Sequence, residues 1–272
     1  MLVVAAVSLA TYVGVATLLF VVQRSIVFVP DTARPNAAEV GLASLREVKL
    51  ATPGGLRLLA WWVPPRSGLA VLAYFHGNGG NLGNRRDRLR QFAAEGWGVL
   101  MPEYPGYGGN PGSPSERAFD DAAAAAMSFL DHENIEHRRV VVYGESIGTG
   151  VATRVAAGRD LGALILESPF SSLVDIARRR FPYLPVGLLL RDRFDQLSRI
   201  GQVRCPILVL QGSKDVIVPP DLGRRLFDAA PQPKTLWVAL AGGHNDLFDF
   251  GAKDVVIGFV NRTIAEAVTL RR

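Results

Sequence analysis

Val140-Val141-Val142-Tyr143 runs directly into Gly144-Glu145-Ser146-Ile147-Gly148, and Thr149 to Ala157 continues with helix-compatible residues. The first stretch is apolar and rich in β-branched residues, as a strand buried on both faces requires. The pentapeptide reads G-x-S-x-G. A strand that ends here, turns sharply and feeds a helix puts the serine at the apex of the turn, with its hydroxyl exposed and its backbone strained. The flanking glycines remove side chains that would collide across so tight a turn. Ser146 then lies at a helix N-terminus, where backbone N–H groups and the helix dipole favour a developing oxyanion. Glycine and serine are common, so the pattern gains its meaning from the strand–turn–helix context.

Working outward, the same alternation repeats. Glu47 to Ala51, a Pro-Gly-Gly turn and Leu56 to Val63 read as a β-hairpin at a sheet edge. Leu69 to Phe75, Gly98 to Met101, Arg139 to Tyr143, Ala163 to Leu166, Ile207 to Leu210 and Thr235 to Leu240 read as further strands. Helices are expected over Arg85 to Ala94, from Pro114-Ser115-Glu116 to Leu130, and over Asp254 to Val268. Alternating strands and helices predict a doubly wound, mostly parallel sheet with helices on both faces. Residues 168–204 break the alternation and carry Phe181-Pro182-Tyr183-Leu184-Pro185 and Leu188-Leu189-Leu190. They read either as a lid over the strand ends that shapes an acyl pocket, or as a helical connection packed on the core.

Leu2 to Val22 holds no charged residue and is almost wholly apolar, which matches the roughly 20 residues a bilayer-spanning helix needs. It lacks the basic leader of a cleavable signal peptide and a convincing small-residue cleavage site. Nor does it show the polar face of a helix on a soluble core. The expected organisation is therefore an uncleaved single-span anchor over residues 1–24, followed by one catalytic domain over 25–272. Arg24 and Arg34 follow the span and tilt its orientation toward a cytoplasmic domain.

The chain has 272 residues and a formal net charge of +5, spread along its length. No basic block with interleaved aromatics points to nucleic acid. The single cysteine, Cys205, excludes an intramolecular disulfide framework and a cysteine-based zinc site, and it reads as a buried filler. No phosphate-loop or metal-ligand spacing is present, so neither cofactor nor metal is expected.

Acyl transfer through serine needs a base, a group that orients it, and donors for the oxyanion. Of the four histidines, His132 and His137 flank a charged loop and read as surface residues. His76 ends a strand and reads as a brace for the loop His76-Gly77-Asn78-Gly79-Gly80-Asn81. His244, in the loop after the last strand, reaches the same sheet edge as Ser146 and is the expected base. Asp215 follows the strand Ile207–Leu210 and is the expected acid, giving the order Ser, Asp, His. Asp246 lies too near His244 in sequence to reach its far ring nitrogen and reads as a cap or loop brace. Asp221, after Pro219-Pro220, reads as an N-cap. The oxyanion donors are expected to be the backbone N–H groups of Ile147 and of Asn78 in the glycine-rich loop.

With these motifs in place, the chain resembles the α/β-hydrolase superfamily, and within it the Bem46-like membrane-anchored serine hydrolases. The matching pieces are Gln23-Arg24 with Pro30, the His-Gly-Asn-Gly-Gly-Asn loop, Gly106-Tyr107-Gly108, Gly112-Ser113-Pro114-Ser115-Glu116, Gly-Glu-Ser-Ile-Gly, Gly212 with Asp215 and Pro219, and Gly-Gly-His-Asn-Asp-Leu. The resemblance implies an α/β-hydrolase fold with a short helical lid insertion. It also implies a triad of Ser146, Asp215 and His244 with Asn78 and Ile147 as oxyanion donors. One departure is Glu103-Tyr104-Pro105, where many relatives carry Asp-Tyr-Arg, a change expected at the pocket rim. The function expected is hydrolysis of carboxylic esters or thioesters, with a small-molecule or lipid acyl substrate and a membrane as partner. A serine peptidase or amidase with the same residues, and a non-catalytic interaction module on this scaffold, remain as alternatives.

Overall fold

The computed structural model describes residues 1–269, and an eight-stranded sheet forms its centre. In chain order the strands are β1 (Arg46–Ala51), β2 (Arg57–Val63), β3 (Val71–Phe75), β4 (Gly98–Pro102), β5 (Val140–Glu145), β6 (Ala163–Glu167), β7 (Ile207–Gly212) and β8 (Lys234–Ala239). Their order in space is β8-β7-β6-β5-β3-β4-β2-β1. The edge hairpin is antiparallel, as is the β2–β4 pairing, and every other neighbour is parallel. The strands that read as continuous apolar runs, β3 to β7, take the interior places, because only there do helices cover both faces.

The helices are α1 (Leu2–Val27), α2 (Arg86–Ala94), α3 (Glu116–His132), α4 (Gly148–Ala156), α5 (Leu173–Arg180), α6 (Val186–Leu189), α7 (Leu197–Ile200), α8 (Pro220–Ala229) and α9 (Ala252–Thr269). Helices α3, α4 and α8 pack on one face of the sheet, and α2 and α9 on the other. Ser115 caps α3 as its sequence context predicts, its Oγ accepting the Ala118 N–H at 3.1 Å. The alanines of α3 turn inward, and their small side chains let the helix lie close to the sheet. Cys205 is buried beside β7, and burial pushes its thiol up to about 12, so it stays protonated and inert.

The segment between β6 and β7 folds as the three short helices α5, α6 and α7. It is tied to the domain by the buried Gln196, which donates to Thr149 Oγ1 (2.9 Å) and accepts from Thr153 Oγ1 (3.0 Å) on α4. Asp221 does not cap α8: Pro219 holds the cap position, and Asp221 turns from the first helical turn to pair with Arg179 of α5.

Helix α1 runs past residue 24 to Val27. It has a mean hydropathy of 2.2 over its most apolar window, none of which is buried, and it is long and apolar enough to cross a membrane. Its C-terminal end is fixed to the domain. Phe28 buries between Phe119 and Phe194, with ring centroids 5.3 and 6.4 Å away. Arg24 forms a two-pronged pair with Asp192 at 2.8 and 3.2 Å.

Candidate active site

Strand β5 ends at Glu145 and α4 begins at Gly148, so Ser146 falls in the connecting turn, at φ +52°. A non-glycine residue adopts this left-handed region only when its surroundings hold it there. Three bonds do so: Ser146 N–H donates to Glu167 O (2.8 Å), and Ser146 O accepts from Thr149 N–H (2.9 Å) and Thr149 Oγ1 (2.5 Å). The two glycines are sterically required. A Cβ on Gly144 would stand 2.5 Å from Gly148 O, and one on Gly148 would stand 2.1 Å from Phe75 O. Both obstacles are backbone, which cannot swing aside.

The structure brings the three residues selected from sequence into one hydrogen-bonded series. Ser146 Oγ lies 2.8 Å from His244 Nε2, and His244 Nδ1 lies 2.7 Å from Asp215 Oδ2. The other Asp215 oxygen accepts the N–H groups of Ile217 (2.9 Å) and Val218 (2.8 Å), which fixes the buried carboxylate. Gly212 lets the histidine loop rest on the end of β7, since a Cβ there would meet Gly243 O at 2.1 Å. Ser168 Oγ donates to His244 O (3.0 Å) and holds the loop from the adjacent strand end. Asp246 accepts the Gly243 N–H (2.7 Å) and braces the loop, but its side chain caps no helix. His76 is buried with both ring nitrogens engaged, by Gly77 O (2.7 Å) and Glu103 Oε1 (2.8 Å), so it has no nitrogen free for proton transfer. His132 and His137 lie on the surface.

Asn78 and Ile147 line the same cavity as Ser146. Among the described residues, neither amide N–H has a protein acceptor. The sequence named these two residues as expected donors, but it did not indicate what holds the loop that carries Asn78. Glu103 is not at the pocket rim; it is fully buried beneath the glycine-rich loop. Besides His76 it accepts the N–H groups of Leu82 (2.8 Å) and Tyr104 (3.2 Å). A glycine-rich loop leaves backbone donors without strand partners, and a buried carboxylate satisfies them. From the other side, Arg85 donates to Gly79 O (2.5 Å) and to Glu145 Oε1 (2.9 Å), joining the loop to the serine turn. Burial alone would push the Glu145 carboxyl up; the Arg85 guanidinium outweighs it and holds the carboxyl below its ordinary range. The Asn78 side chain donates to Val27 O and accepts from Val29 N–H (3.2 Å) and Tyr107 OH (2.9 Å). No local pattern signals these contacts, because their partners are distant in sequence.

The cavity measures about 760 Å³. Its lining includes the charged Arg85, Arg88, Glu145 and Arg180 as well as the apolar Phe170, Leu173, Ile176 and Phe181. The 168–204 insertion therefore forms part of the site. So does α1, through Ile26 and Val27. A nucleophile turn on a parallel sheet, backed by histidine and aspartate from later strand ends, defines the α/β hydrolases.

The comparisons agree. A model of the alpha/beta hydrolase family matches residues 70–201. An uncharacterised protein of Mycobacterium tuberculosis is 38% identical over 237 residues, which cover 86% of this chain and 84% of that protein. The chain belongs to the α/β-hydrolase family and is a hydrolase. Its relatives include protein bem46 of Schizosaccharomyces pombe, 38% identical over 55% of this chain and 52% of that protein. Lysophosphatidylserine lipase ABHD12 of Danio rerio is 32% identical over 61% of this chain and 48% of that protein. The match thus spans about half the length of these two relatives. Among solved structures, an esterase of Pyrococcus furiosus superposes with a TM-score of 0.72 at 19% identity, over 87% of this chain and 97% of that one, a likeness of fold.

Proposed function

We propose that this protein is a membrane-anchored serine hydrolase that cleaves carboxylic esters or thioesters of acylated substrates through an acyl-enzyme. The observation that carries the reading is the series Ser146–His244–Asp215, opening into a cavity beside two unpartnered amides. Ser146 Oγ attacks the acyl carbon while His244 Nε2 takes its proton. Asp215 holds the proton on Nδ1 and stabilises the imidazolium. The N–H groups of Asn78 and Ile147 receive the charge that develops on the carbonyl oxygen. His244 then protonates the departing alcohol or thiol, and water repeats the sequence to release the acid and restore Ser146.

An acylated, lipid-like substrate is supported by the apolar side chains that line the cavity and by the relative in Danio rerio that carries the name lysophosphatidylserine lipase. Anchoring is supported by the length and hydropathy of α1 and by its polar contacts with the domain, which a removed leader would not need.

The test is labelling with a fluorophosphonate probe, alongside turnover of p-nitrophenyl esters and acyl thioesters of graded length. Wild type is expected to label at Ser146, and Ser146→Ala to lose both labelling and turnover. His244→Ala is expected to lower kcat by roughly a thousandfold or more. Asp246→Ala keeps kcat within about tenfold, because its carboxylate serves a backbone N–H and not the imidazole. Turnover that survives in Ser146→Ala, or an Asp246 effect as large as that of His244, rejects the assignment.

A further inference from the structure

We propose that the seam between α1 and the helices α5 and α6 is an acyl-chain channel, through which one chain of a membrane-resident lipid ester reaches Ser146 sideways from the bilayer. The inference rests on the serine-hydrolase reading above and specifies its substrate: an ester whose acyl chain remains in lipid while the carbonyl is cleaved.

Continuity comes first. Ile26, Val27, Ala177, Phe181 and Leu190 line the cavity that contains Ser146. The same five residues line a second, smaller space of about 100 Å³. That space continues along α1 past Gln23 to Leu19 and Phe20, facing Leu184 and Leu189 of the insertion. At 1.5 Å per residue, Val27 to Leu19 spans about 12 Å of helix axis. Apart from Gln23 its lining is apolar, and Gln23 is already committed. Its Nε2 donates to Leu189 O (3.2 Å) and Phe20 O (2.8 Å), and its Oε1 accepts the Arg191 N–H (2.8 Å). The seam thus offers a substrate no free hydrogen-bonding group, only apolar contact.

Depth comes second. Tyr12 OH donates to Tyr183 O (2.9 Å), far up α1 from the end that joins the domain. Val27 to Tyr12 is about 22 Å of axis, most of the roughly 30 Å thickness of a hydrocarbon core. With α1 in the bilayer, the tip of the insertion lies at hydrocarbon depth. Its composition suits that place: Tyr183 and Leu188 are 88% and 84% exposed. Tyr12 and Gln23 satisfy backbone carbonyls that lipid could not. The seam therefore opens to acyl chains, and a long chain reaches Ser146 without its methylenes entering water.

The experiment uses the full chain in vesicles of a dialkyl-ether glycerophosphocholine, which contain no carboxylic ester. Leu19→Trp and Leu184→Trp narrow the channel from opposite walls. The readout is the ratio of kcat/KM for p-nitrophenyl dodecanoate to that for p-nitrophenyl acetate. Both variants are expected to lower this ratio at least tenfold relative to wild type; a change below threefold in either overturns the channel. A second measurement needs no substitution. A dodecyl fluorophosphonate with a diazirine near the chain end should react at Ser146 and, on illumination, cross-link to peptides containing Leu19–Phe20 or Leu184–Leu189. Cross-links confined to other segments overturn the proposal. Wild type that hydrolyses neither ester and takes no probe rejects the hydrolase reading, whereas acetate turnover with a misplaced cross-link rejects only the channel.

Discussion

Asn78 joins two parts of the molecule through one residue. It lines the cavity beside Ser146, while its side chain binds the chain at Val27 and Val29, where α1 ends. Glu103 shows how one acidic residue can sit without strain in a core: every donor around it is a backbone N–H or an imidazole. Asp120 on α3 lacks that support. Among the described residues its ion pair is with Arg154 of α4, at 2.8 Å. Burial pushes its carboxyl up from 3.8 to about 7, against the opposing pull of Arg154. Between those values the folded chain holds a proton that the unfolded chain has released. Folding stability from this group is therefore complete below its unfolded value and falls as pH rises toward about 7. Asp120→Asn cannot ionise. Its melting temperature relative to wild type should rise from pH 4.5 to pH 8, measured by thermal unfolding in detergent at several pH values. A difference that stays flat or falls over that range refutes the expectation.

At the scale of elements, the site depends on close backbone approaches between strand ends and the turns above them. Strand β3 meets the serine turn at Gly148, and β7 meets the histidine loop at Gly212. Neither glycine lies in the left-handed region, so their requirement is space and not conformation. Gly148→Ala would force backbone atoms apart across the serine turn. Its expected cost is about 3 kcal/mol or more, the upper range for overpacking against groups that cannot move. Chemical denaturation would measure it. Because the displaced atoms adjoin Ser146 and the Asn78 loop, fluorophosphonate labelling of the folded fraction should fall as well. A variant with wild-type stability would show that the turn can relax in a way these contacts do not suggest.

At the scale of the whole molecule, α1 is both a candidate span and a wall of the site, and the two roles divide near Gln23. A chain beginning at Gln23 keeps the contacts of Gln23, Arg24 and Phe28 with the domain. It should leave the detergent phase in a detergent-partition assay and fold with near wild-type stability. A chain beginning at Asp31 loses Phe28 from its buried place against Phe119 and Phe194. That version should be less stable by roughly 3 kcal/mol, the usual cost of removing a buried aromatic ring. Denaturant midpoints would compare the two, and equal midpoints would show that the end of α1 does not support the fold.

The sequence by itself determined the alternation of strands and helices, the serine turn and the chain order of serine, aspartate and histidine. These are local properties: apolar periodicity marks the strands, and glycine spacing marks the turn. It also marked α1, because an uncharged apolar run of that length has few other uses. Only the tertiary structure decided that Glu103 lies beneath the glycine-rich loop, that Asp221 pairs with Arg179 instead of capping α8, and that Asn78 and Gln23 tie α1 to the site. Those contacts join residues far apart in the chain, and a side chain's partner there is set by packing, which no local pattern encodes.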